Sequence, residues 1–226
     1  MAGLGTISFE RDNSHNTYFF RADKYVYIQW RPGHEDDRIA YGPRDWQTTG
    51  KCWQESGFKR VDAALPIPGQ VNHTYVFSED KYCTIFFNPG SNNNGVIGQV
   101  HSITDWKSLV NAGFTQINAA IMVPGTTDEA YFFSGNEFCR VRFKPGASSP
   151  DELLDGPHMI RDRWEHLGFP RVDRIVPNPE HPDRAYVFYG DQCAQIRFVP
   201  GGEVEIWYGP KPTAQYWKSL HQAGFY

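Results

Sequence analysis

Glu129-Ala-Tyr-Phe-Phe-Ser-Gly-Asn-Glu-Phe-Cys-Arg-Val-Arg-Phe-Lys-Pro-Gly146 is written three more times in this chain, over residues 16–33, 73–90 and 184–201. The second copy reads His73-Thr-Tyr-Val-Phe-Ser-Glu-Asp-Lys-Tyr-Cys-Thr-Ile-Phe-Phe-Asn-Pro-Gly90. The four copies superimpose without gaps from the first Tyr to the Pro-Gly. Tyr18, Tyr75, Tyr131 and Tyr186 are spaced by 57, 56 and 55, and Pro32, Pro89, Pro145 and Pro200 repeat those spacings. Each unit then closes on Gly-Phe, at Gly57, Gly113, Gly168 and Gly224. Self-similarity at a fixed period of this length signals an array or a propeller.

Within the third unit, Ile117-Asn-Ala-Ala-Ile-Met is a short apolar run whose small Ala119 and Ala120 suit a crowded position near an axis. Pro124-Gly-Thr-Thr-Asp is a turn. Tyr131-Phe-Phe is a second strand, and Ser134-Gly-Asn-Glu a tight hairpin turn. Phe138, Arg140 and Arg142 then alternate with Cys139, Val141 and Phe143, the period of a strand with one buried face. An outer strand is expected near Glu152-Leu-Leu, and Ile160-Arg-Asp-Arg-Trp-Glu-His-Leu reads as a short helix stopping at Gly168. Three to four strands with a terminal turn of helix make a propeller blade. The fold class is therefore all-β, a four-bladed propeller in a single domain over 1–226, with blades at about 5–58, 59–114, 115–169 and 170–226. Trp106, Trp164 and Trp217 of the closing segments read as packing for the blade edges.

Composition narrows the function. The chain has 226 residues and a formal net charge of −4 without a basic block, which gives no electrostatic footprint for nucleic acid. No apolar run approaches the ~20 residues of a membrane span. The start lacks a basic-then-apolar leader, so a cytoplasmic location is expected, with a processed, secreted protein as the alternative. Cys83 and Cys139 occupy one repeat position, with Cys193 one place earlier, and read as buried small residues. Cys52 lies off the template and reads as a free thiol, the one candidate for a bridge between chains. Gly-x-Ser-x-Gly, phosphate loops and HExxH are absent, and no enzyme is expected. Carboxylates such as Asp36, Asp37, Asp151 and Glu152 sit in turns and read as solvated.

Asp62-Ala-Ala, Asn118-Ala-Ala, Ala130-Tyr-Phe-Phe-Ser-Gly-Asn-Glu-Phe and Ala185-Tyr-Val-Phe-Tyr-Gly-Asp, each unit closing on a Trp-containing helix, resemble the hemopexin repeat over about Gly5 to Phe225. That family includes haem carriers, metalloproteinase C-terminal domains, legume seed albumins and haemagglutinating lectins. A stand-alone four-blade unit is most similar to the last two. The resemblance implies a central tunnel that often holds a cation. Thirteen residues before each repeat Tyr, it places a ring of axial carbonyls at Gly5, Asp62, Asn118 and Asp173, suited to Ca²⁺ or Na⁺. A second ring is implied at Thr17, Thr74, Ala130 and Ala185. The chain departs from the family pattern at Gly5 and Asn118.

The repeats agree in their strands and differ in their loops, where binding residues concentrate. Asn, Asp and His beside aromatic rings suit a sugar: amides and carboxylates pair with hydroxyls, and a ring face covers the apolar side of the pyranose. Trp207 aligns with Ala40, and Trp46 and Trp53 have no template partner. These three, with Asn72, His73 and Asp183 in the first loops, are the candidate carbohydrate-binding residues. The loop asparagines Asn92, Asn93 and Asn94 read as turn formers. The leading expectation is a non-enzymatic lectin binding glycans or glycoconjugates, with multivalency from several loops or a homodimer. The alternative is a haem- or polyamine-binding, albumin-like protein using the channel mouth. His73 and His181, in equivalent loops, are the candidate haem ligands. No histidine position recurs in all four blades, and the acidic ring is broken at Gly5 and Asn118.

Overall fold

A computed structural model describes residues 3–11, 14–48, 50–91, 93–145, 151–199 and 202–226. Asn92 and the repeat-ending Gly146, Pro200 and Gly201 lie outside the described residues. Sixteen strands form four separate four-stranded antiparallel sheets. The first blade is β1 (Thr6–Arg11), β2 (Ser14–Arg21), β3 (Lys24–Trp30) and β4 (Arg38–Asp45). The second is β5 (Ala63–Pro66), β6 (His73–Ser78), β7 (Lys81–Phe87) and β8 (Asn94–Ser102). The third is β9 (Ala119–Met122), β10 (Glu129–Ser134), β11 (Glu137–Arg142) and β12 (Glu152–Met159). The fourth is β13 (Arg174–Pro177), β14 (Arg184–Tyr189), β15 (Gln192–Phe198) and β16 (Val204–Pro212). Each sheet keeps chain order from inside to outside. The innermost strands touch in the cycle β1, β5, β9, β13 and back to β1, which closes a four-bladed propeller.

Alternation explains half of each strand's burial. In β11, Cys139 and Val141 are buried as their spacing predicts, but Phe138, on the opposite face, is also only 1% exposed. The reason is that a blade has no solvent face near the axis. Cys139, Val141 and Phe132 pack toward Phe77 and Trp106 of the second blade. Phe138, Phe133 and Tyr131 pack toward Val187 and Ile196 of the fourth. Four such cores alternate with the four sheets. With each buried large side chain contributing about 1.5–3 kcal/mol, these interfaces supply the main stabilising term.

The closing segments seal the rims. Helices Lys51–Ser56, Lys107–Asn111 and Lys218–Gln222, and the shorter Ile160–Arg163, follow the outer strands. Trp106, Trp164 and Trp217 are buried as edge packing requires. The repeated glycine after each segment has φ between 65 and 75°, a left-handed stop that other residues adopt at a cost. Two carboxylates that read as solvated are not. Asp151 accepts from the Lys107 and Ser108 amides of the preceding blade, at 3.2 and 2.6 Å. Asp37 accepts from the Ser219 amide at 2.8 Å. Each caps its neighbour's helix and so ties two blades together. No helix among the described residues is long and apolar enough to cross a membrane.

Candidate functional site

The axial cavity is lined by Leu4–Thr6, Asp62–Ala64, Asn118–Ala120, Arg174 and Ile175, and encloses only about 10 Å³. Strand register revises the ring. Ala63, Ala119 and Arg174 pair with Phe77, Phe133 and Phe188. Thr6 pairs with Phe19, so Gly5 stands opposite Phe20 and takes the place of Ala63, Ala119 and Arg174. Leu4, not Gly5, is therefore the counterpart of Asp62, Asn118 and Asp173. The first connection holds one residue more than the other three, and counting back from the Tyr misplaces this position. The Gly5 carbonyl accepts from the Phe20 amide at 3.0 Å and belongs to the blade.

Side chains at the ring position clamp the inner hairpin. Asp62 Oδ2 accepts from the Glu79 amide at 2.7 Å, Asn118 Oδ1 from Gly135 at 2.6 Å and Asp173 Oδ2 from Gly190 at 2.9 Å. The amide-bearing residues sit at positive φ, 53 to 58°, where Glu79 needs the added hold. The second ring is corrected outright: Thr17, Thr74, Ala130 and Ala185 lie on second strands and none lines the cavity. Ala130 and Ala185 pack between blades, and Thr17 accepts from Trp30 Nε1 at 2.9 Å.

Arg174 is the feature that sequence reasoning missed. It stands where the other blades carry Gly5, Ala63 and Ala119, and is 1% exposed. Its Nε donates to the Leu4 carbonyl at 2.7 Å and its Nη2 to the Phe20 carbonyl at 2.6 Å. The guanidinium lies 5.0 Å from the Phe19 ring centre and 5.5 Å from that of Tyr226. Burial pushes its pKa below the ordinary arginine value, so ionisation is sustained by carbonyls and ring faces in place of water. A cation held by four axial carbonyls does not fit this arrangement. One ring carbonyl is already engaged, and a fixed positive charge sits beside the cavity. No cluster of three His, Cys, Asp or Glu that would hold a metal occurs among the described residues.

The channel mouth below, about 420 Å³, is lined by Leu4, Arg21, Asp62, Arg171, Asp173 and Tyr226 among others, with no histidine. Two of its three acids are paired with arginines: Arg171 Nε meets Asp173 at 2.5 Å and Arg60 Nε meets Asp62 at 2.9 Å, while Asp191 accepts from Gln192 Nε2 at 3.2 Å. Burial raises the Asp62 pKa above the usual carboxylate range, against the lowering effects of the Glu79 amide and Arg60. A carboxyl with a raised folded pKa binds its proton more tightly when folded. Its contribution to stability is greatest below about pH 3.9 and falls as pH rises through the folded value. Asp62→Asn keeps the acceptor that Asn118 demonstrates. The variant is expected to melt no lower than the parent at pH 7, with any gain shrinking toward pH 4, as read by thermal melts across that range.

The six carbohydrate candidates separate. Trp46 and Trp53 are 0% and 1% exposed, in the core between the first and second blades, and present no face to a ligand. Cys52 is equally buried, its thiol pushed up to about 12 by burial, which removes it as an inter-chain bridge; all four cysteines are free. Asn72 ends the second blade's first connection and His73 opens β6; the Asn72 carbonyl accepts from Phe87 and His73 Nδ1 lies 2.9 Å from the Val71 carbonyl. The Asp183 carbonyl accepts from Phe198 at the equivalent place in the fourth blade. Trp207 alone is half exposed, at 49%. It borders a cleft of about 350 Å³ between the fourth and first blades, with Trp30, His34, Gln195, Tyr208 and Lys211. The Arg184 guanidinium, next to Asp183, covers the indole at 3.6 Å from the ring centre. A volume in this range and a wall of rings with a few polar groups are what small-ligand sites share.

No family model matches the chain. Albumin-2 of Lathyrus sativus is 22% identical over 230 residues, covering 96% of each protein. A plant albumin from Cicer arietinum described as showing hemagglutination matches with a TM-score of 0.83 at 24% identity, over 97% of this chain and 96% of that one. A plant lectin with two metal binding sites, from the same species, matches at 0.82, with the same identity and coverage. A hemopexin fold protein from cow pea matches at 0.78 and 23%, again over 97% and 96%. The chain thus has the hemopexin-type four-bladed fold of plant albumins and lectins. The expected cytoplasmic location is corrected by the same comparison, in which a protein of the same fold, at a TM-score of 0.82 and 22% identity, is a seed albumin from Lathyrus sativus.

Proposed function

We propose that this protein is a non-enzymatic, lectin-like propeller that binds a glycan in the cleft between the fourth and first blades. The observation that carries this reading is Trp207, a half-exposed indole at a position where the first blade has Ala40 and the fold demands no aromatic. Arg184 holds the ring in place from one side, and its exposed part offers the surface that the C–H face of a pyranose covers. Gln195 and His34 supply donors and acceptors for hydroxyls. The hemagglutination and lectin descriptions of the Cicer arietinum proteins support the same class of activity. Agglutination requires at least two sites per particle, from one chain or from a homodimer.

A channel cation has no part in this reading, because Arg174 occupies one of the carbonyls it would need. The haem alternative draws no support from the channel mouth, whose lining has no histidine, and the polyamine alternative draws little, because two of its three acids are paired with arginines. Trp207→Ala tests the proposal on a glycan array and by titration of the best hit. Binding is expected to weaken at least tenfold, about 1.4 kcal/mol, with an unchanged melting temperature. Unchanged affinity removes Trp207 from the site, and a blank array for the folded parent sinks the lectin reading.

A further inference from the structure

The cleft beside Trp207 has a counterpart one blade on. Each outer strand bends at a glycine of positive φ: Gly42, Gly98, Gly156 and Gly209, at 91, 77, 96 and 89°. These glycines bring the four outer strands into register. The residue before the glycine is Tyr41, Ile97, Asp155 or Tyr208, and two places after it come Arg44, Val100, His158 or Lys211. Only the first and fourth blades place a tyrosine and a cation there. In both, the tyrosine is nearly half exposed, at 44% and 48%. In both, the cation lies over the ring, Arg44 at 4.1 Å and Lys211 at 4.4 Å, and donates to its hydroxyl. Neither cation forms a salt bridge among the described residues, although Glu35, which pairs with Lys218 at 2.8 Å, lines the same cleft as Lys211 and is near enough to feel its charge. In the third blade the position is self-neutralised, with His158 Nε2 2.7 Å from Asp155 Oδ1 and Arg163 nearby. In the second, Ile97 replaces the tyrosine, and the residue paired with Tyr82 is His101, whose Nδ1 lies 3.1 Å from Asp105 Oδ2.

The pair at Tyr41 opens onto a cleft of about 590 Å³ between the first and second blades. Its walls repeat the first cleft position by position: Tyr18 for Tyr186, Tyr27 for Gln195, Phe87 for Trp30 and Asn94 for Asp37. An unpaired cation held against a tyrosine ring, with the hydroxyl alongside, presents a donor for a carboxylate next to a face for a sugar ring.

We propose that each chain carries two quasi-equivalent sites for a carboxylate-bearing saccharide, one at Lys211–Tyr208 and one at Arg44–Tyr41. This rests on the glycan reading above and adds to it a second site and a charge requirement. The Tyr41 site has Ala40 where the other has Trp207 and is the weaker of the two. A single chain is then bivalent, and cross-linking does not need a dimer.

Titration calorimetry of the whole protein with 3′-sialyllactose and with methyl β-glucuronide, each against its neutral counterpart lactose or methyl β-glucoside, tests the proposal. At least one acidic probe is expected to bind at two per chain, at least tenfold tighter than its neutral partner. Arg44→Gln and Lys211→Gln are each expected to leave one site and the double variant none, with melting temperatures unchanged. A stoichiometry of one that Arg44→Gln does not alter overturns the second site. Equal affinity for the neutral sugars, or neutral hits on the array with neither acidic probe bound, overturns the carboxylate requirement while leaving the glycan reading standing. A blank array overturns both.

Discussion

Arg174→Ala is expected to cost about 3 kcal/mol of stability and to lower the melting temperature by roughly 6–12 °C. Two charge-assisted hydrogen bonds vanish, each worth about 1.5–3 kcal/mol, and the Leu4 carbonyl is left in the interior without this donor. The loss of contact with the Phe19, Phe188 and Tyr226 rings adds to this. Against it stands relief from burying a charge, which the lowered pKa registers. The hydrogen bonds win because they join the fourth blade to the first, where the same strands share, among the described residues, one other side-chain tie, Thr6 Oγ1 to the Ile175 carbonyl at 3.0 Å. Arg174→Lys keeps the charge but not the fork that reaches two carbonyls, and is expected to recover less than half of the loss. The parent's melting temperature is expected to be the same within a degree in calcium and in chelator. A rise of several degrees with calcium means that the axial ring still takes a cation and that the guanidinium does not stand in for it.

How much of this was legible beforehand differs from element to element, for physical reasons. The four sheets were, because strand periodicity and turn chemistry are local and repetition wrote them four times. The axial ring was not. The gap-free match runs from the repeat Tyr onward, whereas the innermost strand lies upstream of a connection whose length varies, so one added residue moves Gly5 off the ring and Leu4 onto it. Arg174 was hidden for a related reason: an arginine beside an aspartate reads as a surface pair, and only the register shows it in a slot of small residues. The caps at Asp37 and Asp151 join residues about 180 and 43 positions apart, beyond the reach of any local pattern. Among the candidate tryptophans, absence from the repeat template was the signal used. It singled out Trp207, which is half exposed, and misread Trp53, which sits on the first blade's closing helix five residues before Phe58, as Trp164 sits five before Phe169, and packs with Trp46 in the same core. The matching of the two clefts needed the outer-strand glycines as a ruler, and bulges there defeat simple counting from the Tyr.

Trp46→Ala and Trp53→Ala are each expected to destabilise the protein by about 3–5 kcal/mol and to leave glycan affinity at the Trp207 cleft unchanged per folded molecule. The two indoles meet edge to face with centres 5.5 Å apart, and both contact Phe20, at 6.4 and 5.3 Å. Trp46 Nε1 also donates to the Ala22 carbonyl at 2.9 Å, bracing the inner hairpin at a residue of positive φ. Truncating either ring opens a cavity that the surrounding strands cannot close without breaking the sheet pairing, so the cost falls at the upper end of core substitutions. Urea unfolding midpoints with glycan titrations on the folded fraction separate this from a ligand role. A Trp46→Ala protein that unfolds at the parental midpoint but no longer binds sugar overturns the assignment of the residue to the core. The double variant carries the sharper information. Each substitution removes the other's partner, so the two losses are expected to fall short of adding by about 0.5–1.5 kcal/mol, the worth of one aromatic pair. Trp207→Ala combined with either is expected to add independently, zero in stability and the full loss in binding at its own cleft, because among the described residues no ring contact links the Trp207 cleft to that core.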